Sequence, residues 1–192
     1  MKDYFSRTMK ILSDSVASMD MDVFERLVAG CVRTLENGNK VIVSGLGKNV
    51  PICEKFTGSM LSMNQKAGFM HTSSAAHGDL GMVQPGDLVI MLTKSGETKE
   101  SVYLCSLLET RNAELWLITF TAKSTLAAKI SNKIILNLED EGDMWNIAPN
   151  NSTTVNLIVL QGLAMEIASR RGVTIAQFKA NHPGGHIGEM LR

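Results

Sequence analysis

Short, uninterrupted apolar runs recur along the chain, each followed by a stretch whose apolar positions repeat at helical spacing. Residues 40–44, 87–93, 114–119 and 133–138 are apolar at successive rather than alternate positions, the pattern of parallel strands covered on both faces. Residues 67–70 are a weaker fifth strand. Between the runs the period lengthens. Residues 50–63 follow the first strand. Residues 97–111 follow the second, with Val102, Leu104, Cys105, Leu107 and Leu108 as the apolar stripe. Residues 152–170 form the longest central helix, with Ser152, Thr153 and Thr154 suited to its N-terminal cap. The first 37 residues read as two helices, broken near Met19 and Asp20 and stopped at Asn37 and Gly38. Strands alternating with helices predict an α/β fold built on a mostly parallel sheet. In such sheets the residues just after each strand carry the ligand chemistry.

At 192 residues the chain is one domain, 1–192, with the helical segment 1–37 ahead of an α/β core and C-terminal segment, 38–192. Lys plus Arg and Asp plus Glu both number 19. That balance argues against a non-specific nucleic-acid binder, which carries a basic excess. The start of the chain is polar, with no apolar run suited to a signal peptide, and residues 155–168 are broken by Asn156, Gln161 and Glu166. No membrane partner is expected. Cys31, Cys53 and Cys105 are odd in number and far apart, which suits free thiols in a reducing cytoplasm.

The loops hold the unusual residues. After the first strand come Ser44, Gly45, Leu46, Gly47, Lys48 and Asn49, two glycines and a lysine ahead of a helix. This suits an anion site, and equally a tight turn with a solvated lysine, but matches neither GxGxxG nor the P-loop. Thr93, Lys94, Ser95, Gly96 and Thr98 stand at the next helix start, where amides, hydroxyls and the helix dipole suit a phosphate cradle better than the simple helix cap that Thr93 or Ser95 alone would supply. Glu100 lies about one turn further on, placed either to face that cradle or to pair on the surface. His77, followed by Gly78 and Asp79 in residues 77–81, suits general acid/base work or a backbone-bonded loop. His182 and His186 flank a Pro-Gly-Gly turn. With His71 or His77 they lack the cysteine or carboxylate support of a metal site, so no metal is expected. Glu139, Asp140 and Glu141 close the last strand, either as a solvated acidic turn or as part of the site.

Taken together, GLGK (45–48), HGDLG (77–81), KSGETKE (94–100), APNNSTT (148–154) and HPGG (182–185) occur in an order that resembles the sugar isomerase (SIS) domain superfamily. Within it the set is most similar to the arabinose 5-phosphate isomerase branch, and HGDLG with HPGG carries that likeness. The resemblance covers about residues 40–191. It implies a three-layer, doubly wound sandwich with a five-stranded sheet. It further implies interconversion of D-arabinose 5-phosphate and D-ribulose 5-phosphate through a cis-enediol, with no cofactor, in a homotetramer whose sites draw on more than one subunit. Carried over by motif, Lys48, His77, Glu100, Glu141 and His182 are the catalytic set. Ser44, Gly45, Gly47, Thr93, Lys94, Ser95, Thr98, Ser152 and Thr153 hold the substrate. The chain departs from the pattern at Asn49 and Val50, at Thr72 and Ser74, and at Gln161 and Gly162. Full-length members append paired CBS repeats, and a chain stopping at Arg192 is expected to lack them. The competing readings are another phosphosugar substrate, or a non-catalytic sensor of sugar phosphates or nucleotide sugars.

Overall fold

The computed structural model describes residues 2–190, so Met1, Leu191 and Arg192 lie outside the described residues. Five strands form one parallel sheet in the order β2-β1-β3-β4-β5. They are β1 (Val41–Gly45), β2 (Ala67–His71), β3 (Leu88–Leu92), β4 (Glu114–Thr119) and β5 (Asn132–Ile135). The weak strand at 67–70 is therefore real, and is an edge strand. The last run is shorter than its hydropathy suggests, although Leu136 just beyond β5 is fully buried.

Continuous apolarity in the strands has the expected cause. Val41, Val43, Leu88, Ile90, Leu92, Trp116 and Ile118 point into one core, and Ile42, Val89, Met91 and Leu117 into another. The first core is closed by α2 (Met21–Glu36), α3 (Val50–Ser62) and α6 (Asn151–Arg170), with Leu12 of α1 (Lys2–Ala17) joining it. The second is closed by α4 (Lys99–Leu108) and the short α5 (Thr125–Lys129). Each fully buried Leu or Ile contributes about 1.5–3 kcal/mol, so the two cores together fix the sandwich. α5 is too short for its period to show in the sequence, as are α7 (Ile175–Ala180) and α8 (Gly185–Met190).

The break between the first two helices is set by Asp20, whose carboxylate accepts from the amides of Asp22 and Val23 and so starts α2. Positions 24, 27, 28, 31 and 35 of α2 are buried, one stripe of a 3.6-residue period. The chain leaves β1 for β2 on one side and leaves β3 for β4 on the other. The carboxyl ends of β1 and β3 therefore flank the point where the strand order reverses, where an open α/β sheet leaves a crevice.

Candidate active site

A cleft of about 330 Å³ occupies that crevice. Gly47, Lys48 and Asn49 line it from the loop after β1, and Thr93, Lys94 and Ser95 from the loop after β3. Thr98 and Ser101 add the start of α4; Pro149, Ser152, Thr153 and Asn156 add the start of α6. Two helix N-termini and two lysines thus converge on one space, an arrangement suited to an anion.

The loop after β3 is held by its own hydroxyls. Thr93 Oγ1 accepts from the Gly96 amide, and Ser95 Oγ from the Glu97 amide, each at 3.2 Å. Gly96 has φ +68°, and a Cβ there would lie 2.7 Å from Ser124 Cβ, so only glycine fits the turn. Thr98 is the N-cap of α4, yet no side chain accepts from the first-turn amides. Those amides are the orphan donors a phosphate would take.

At α6 the first two of the corresponding donors, the Asn151 and Ser152 amides, are already taken by Glu141. Glu141 has a fully buried side chain. Its Oε2 accepts from the amides of Asn150 (3.0 Å) and Ser152 (2.9 Å), and its Oε1 lies 2.7 Å from Lys94 Nζ. Burial pushes this carboxyl up, but the Lys94 ammonium and the two α6 amides outweigh that and hold it below the usual carboxylate range. Glu141 therefore belongs to no solvated acidic turn. It caps the α6 N-terminus and aims Lys94 into the cleft, leaving α4 as the uncapped, anion-binding end.

The remaining sequence-selected residues divide. Ser44 is buried in β1 and shares a 3.1 Å hydrogen bond with Thr72 beneath the site. Gly45 ends β1, where a Cβ would meet Asn49 Cβ at 2.9 Å and Cys53 Sγ at 3.0 Å. His77 and Glu100 are exposed, on the turn Ala75–His77 and in the first turn of α4, and neither lines the cleft. His182 lies further off. It stacks on Phe178 with ring centroids 4.1 Å apart and shares a 2.7 Å hydrogen bond with the Phe178 carbonyl. Its neighbour Asn181 donates to the Leu61 and Ser62 carbonyls at the end of α3. That end leads into the start of β2, so His182 sits toward the amino ends of the strands, away from the carboxyl ends where the cleft lies.

Asn49, Ser101 and Asn156 line the cleft without having been singled out by sequence. Their signal was faint: Asn156 is one polar residue in the buried stripe of α6, spaced i+4 from Ser152. Among the described residues, no three His, Cys, Asp or Glu side chains come close enough to hold a metal ion. Nor is any helix among them long and apolar enough to cross a membrane.

The chain is similar to proteins of known chemistry. It is 32% identical over 183 residues to the arabinose 5-phosphate isomerase KdsD of Salmonella typhi, a match covering 95% of this chain and 56% of that one. The KdsD of Pseudomonas aeruginosa is 32% identical over 185 residues, covering 96% and 57% respectively. The chain thus spans about half the length of the curated relatives it matches. Among solved structures, an E. coli CFT073 protein in complex with arabinose 5-phosphate superposes with a TM-score of 0.87 at 28% identity, covering 95% of each chain. The family model described as SIS domain matches residues 34–166, which takes in all five strands and the loops that form the cleft, and the chain belongs to that family.

Proposed function

We propose that this chain is a phosphosugar isomerase that interconverts D-arabinose 5-phosphate and D-ribulose 5-phosphate through a cis-enediol. The observation that carries this reading is the uncapped N-terminus of α4 at the strand-order reversal, flanked by Lys94, Ser95 and Thr98. It suits the phosphate of a small sugar, and the relatives named arabinose 5-phosphate isomerase and the neighbour holding arabinose 5-phosphate supply the sugar. The cleft size also fits a pentose phosphate better than a dinucleotide.

In this reading the orphan amides of α4, with Ser95 and Thr98, anchor the phosphate and fix the sugar chain in the cleft. Lys94 adds charge, held in place by Glu141. Lys48 stands opposite, on the glycine loop, where its ammonium stabilises the enediolate oxygen. Glu100 and His182 move the proton between the neighbouring carbons, and His77 assists ring opening or holds the sugar hydroxyls. No cofactor enters, because a proton shift beside a carbonyl needs only acid, base and charge stabilisation.

Glu100 stands in the first turn of α4 between the cleft-lining Thr98 and Ser101, whereas His77 and His182 lie outside this chain's own cleft, so the reading assigns those two histidines to the cleft of a neighbouring copy in a homotetramer. His182 is the firmest case, since it sits toward the amino ends of the strands in its own chain. The unpaired, buried Cys31, Cys53 and Cys105 suit a reducing cytoplasm.

The test is incubation of the purified chain with D-arabinose 5-phosphate and a colorimetric ketose assay, repeated with hexose phosphates. Ketose formation from the pentose phosphate supports the reading. Tight binding without turnover of any of them points instead to a sensor. Glu100→Gln should abolish turnover while leaving substrate binding largely intact, and normal turnover in that variant removes Glu100 from the mechanism.

A further inference from the structure

One polar atom in the cleft lining, Oδ1 of Asn156, is left without a hydrogen-bond partner. Asn156 is 1% exposed, on the inner face of α6 among Val155, Val159 and Leu160. Its Nδ2 donates to Asn49 Oδ1 at 3.0 Å, which ties α6 to the loop that carries Lys48. Its Oδ1 accepts from nothing and is all but closed off from bulk solvent. A buried carbonyl oxygen without a donor destabilises the fold, and an apolar side chain of the same shape would remove that cost. Yet Asn156 lines the cleft beside Ser152 and Lys48.

We propose that Asn156 is a specificity-determining residue, whose Oδ1 accepts a hydrogen bond from a hydroxyl of the bound sugar phosphate. This rests on the phosphosugar reading above and deepens it. The polarity of the cleft supports it. The α4 side is rich in donors: backbone amides, the Lys94 ammonium, and hydroxyls that are free to turn their hydrogens toward an anion. A phosphate, an acceptor carrying negative charge, is drawn there and is repelled by a carbonyl oxygen. A sugar hydroxyl is a donor and satisfies Asn156. The two ends therefore orient the ligand, phosphate toward α4 and polyol toward α6. Asn49, held by the other half of the same amide, lies next to Lys48, so the hydroxyl is read close to the group that meets the enediolate oxygen. A site built to hydrogen-bond a hydroxyl discriminates strongly against ligands that lack it, because its buried acceptor is then left unpaired.

The experiment is titration calorimetry of the wild-type chain, Asn156→Leu and Asn156→Ala, each with inorganic phosphate and with D-arabinose 5-phosphate. Phosphate affinity should stay within about twofold in both variants, while affinity for the sugar phosphate falls by about tenfold or more, the loss of one buried hydrogen bond. The leucine variant restores apolar packing, so it keeps the test open if the alanine variant folds poorly. Equal weakening of both ligands, unchanged sugar-phosphate affinity in the leucine variant, or a wild-type chain that binds the sugar phosphate no better than phosphate overturns the proposal. Turnover of D-arabinose 5-phosphate by the wild-type chain, measured on the same preparation, tests the functional reading separately. A chain that binds the sugar through Asn156 without isomerising it fails that reading and keeps this one.

Discussion

Removing the Glu141 carboxylate should cost the protein more than removing any other charge in the cleft. The side chain is fully buried, and it accepts from two amides at the start of α6 while pairing with Lys94. Each hydrogen bond to a charged group is worth about 1.5–3 kcal/mol, so the two amides account for about 3–6 kcal/mol. The ion pair adds less than about 1 kcal/mol, because Lys94 is 45% exposed and water screens it. Glu141→Ala should therefore lose about 4 kcal/mol. Glu141→Gln keeps an oxygen for the amides but loses the charge, and sets an amide donor against the Lys94 ammonium, for about 2 kcal/mol. Lys94→Met leaves the amide contacts intact and should cost under about 1 kcal/mol. Urea unfolding followed by circular dichroism reads these differences directly. The thermal midpoint should drop by about 2–4 °C per kcal/mol, in the same rank order. Equal losses for alanine and glutamine, or a loss below about 1 kcal/mol for alanine, would show that the α6 amides find other partners and that Glu141 caps nothing.

The same carboxylate predicts a pH dependence. Its folded value lies below the ordinary 4.5, so its stabilisation is complete above that value and fades as pH falls through the folded one; Glu141→Gln should flatten the loss of stability in that acid range. Gly96→Ala should destabilise by about 2 kcal/mol or more and weaken inorganic phosphate binding, since a side chain at φ +68° drives the cradle against Ser124; calorimetry and urea unfolding check both. Ser95→Ala should weaken sugar-phosphate binding by about tenfold in calorimetry while leaving unfolding nearly unchanged, as its hydroxyl faces the cleft and holds only the Glu97 amide. Lys48→Met and His182→Ala chains should each be inactive alone. Mixed in equal amounts through unfolding and refolding, they should regain about a quarter of wild-type turnover, the fraction of sites drawing both native groups from different copies. No recovery on mixing would return His182 to its own chain's chemistry or remove it from catalysis.

The strands and long helices were legible because their signals are local. Val41 to Val43 and Leu88 to Leu92 are apolar on both faces because both faces are covered, and a run of side chains reports that without reference to the rest of the fold. The turn at Gly96 was legible for the same reason, since a positive φ is written in one residue. The phosphate end of the cleft followed from these, as it is a strand end, a glycine and a helix start in sequence order. Glu141 was picked out by its motif but not its capping role, and Asn156 was not picked out as part of the site; both are polar groups whose role depends on what the sheet order brings beside them. In sequence Glu141 ends an acidic run, and only the approach of α6 and the β3 loop turns it from a surface acid into a buried cap. Asn156 interrupts an apolar stripe, and the stripe says only that the position is buried, not that an acceptor there is left empty. His182 is the converse case. Its motif is distinctive, yet α7 leads it toward the amino ends of the strands, away from its own chain's cleft, so a motif names the chemistry of a residue without naming the cleft that uses it. Order along one chain cannot separate a residue that serves its own site from one that serves a neighbour's, and the mixing experiment is the measurement that does.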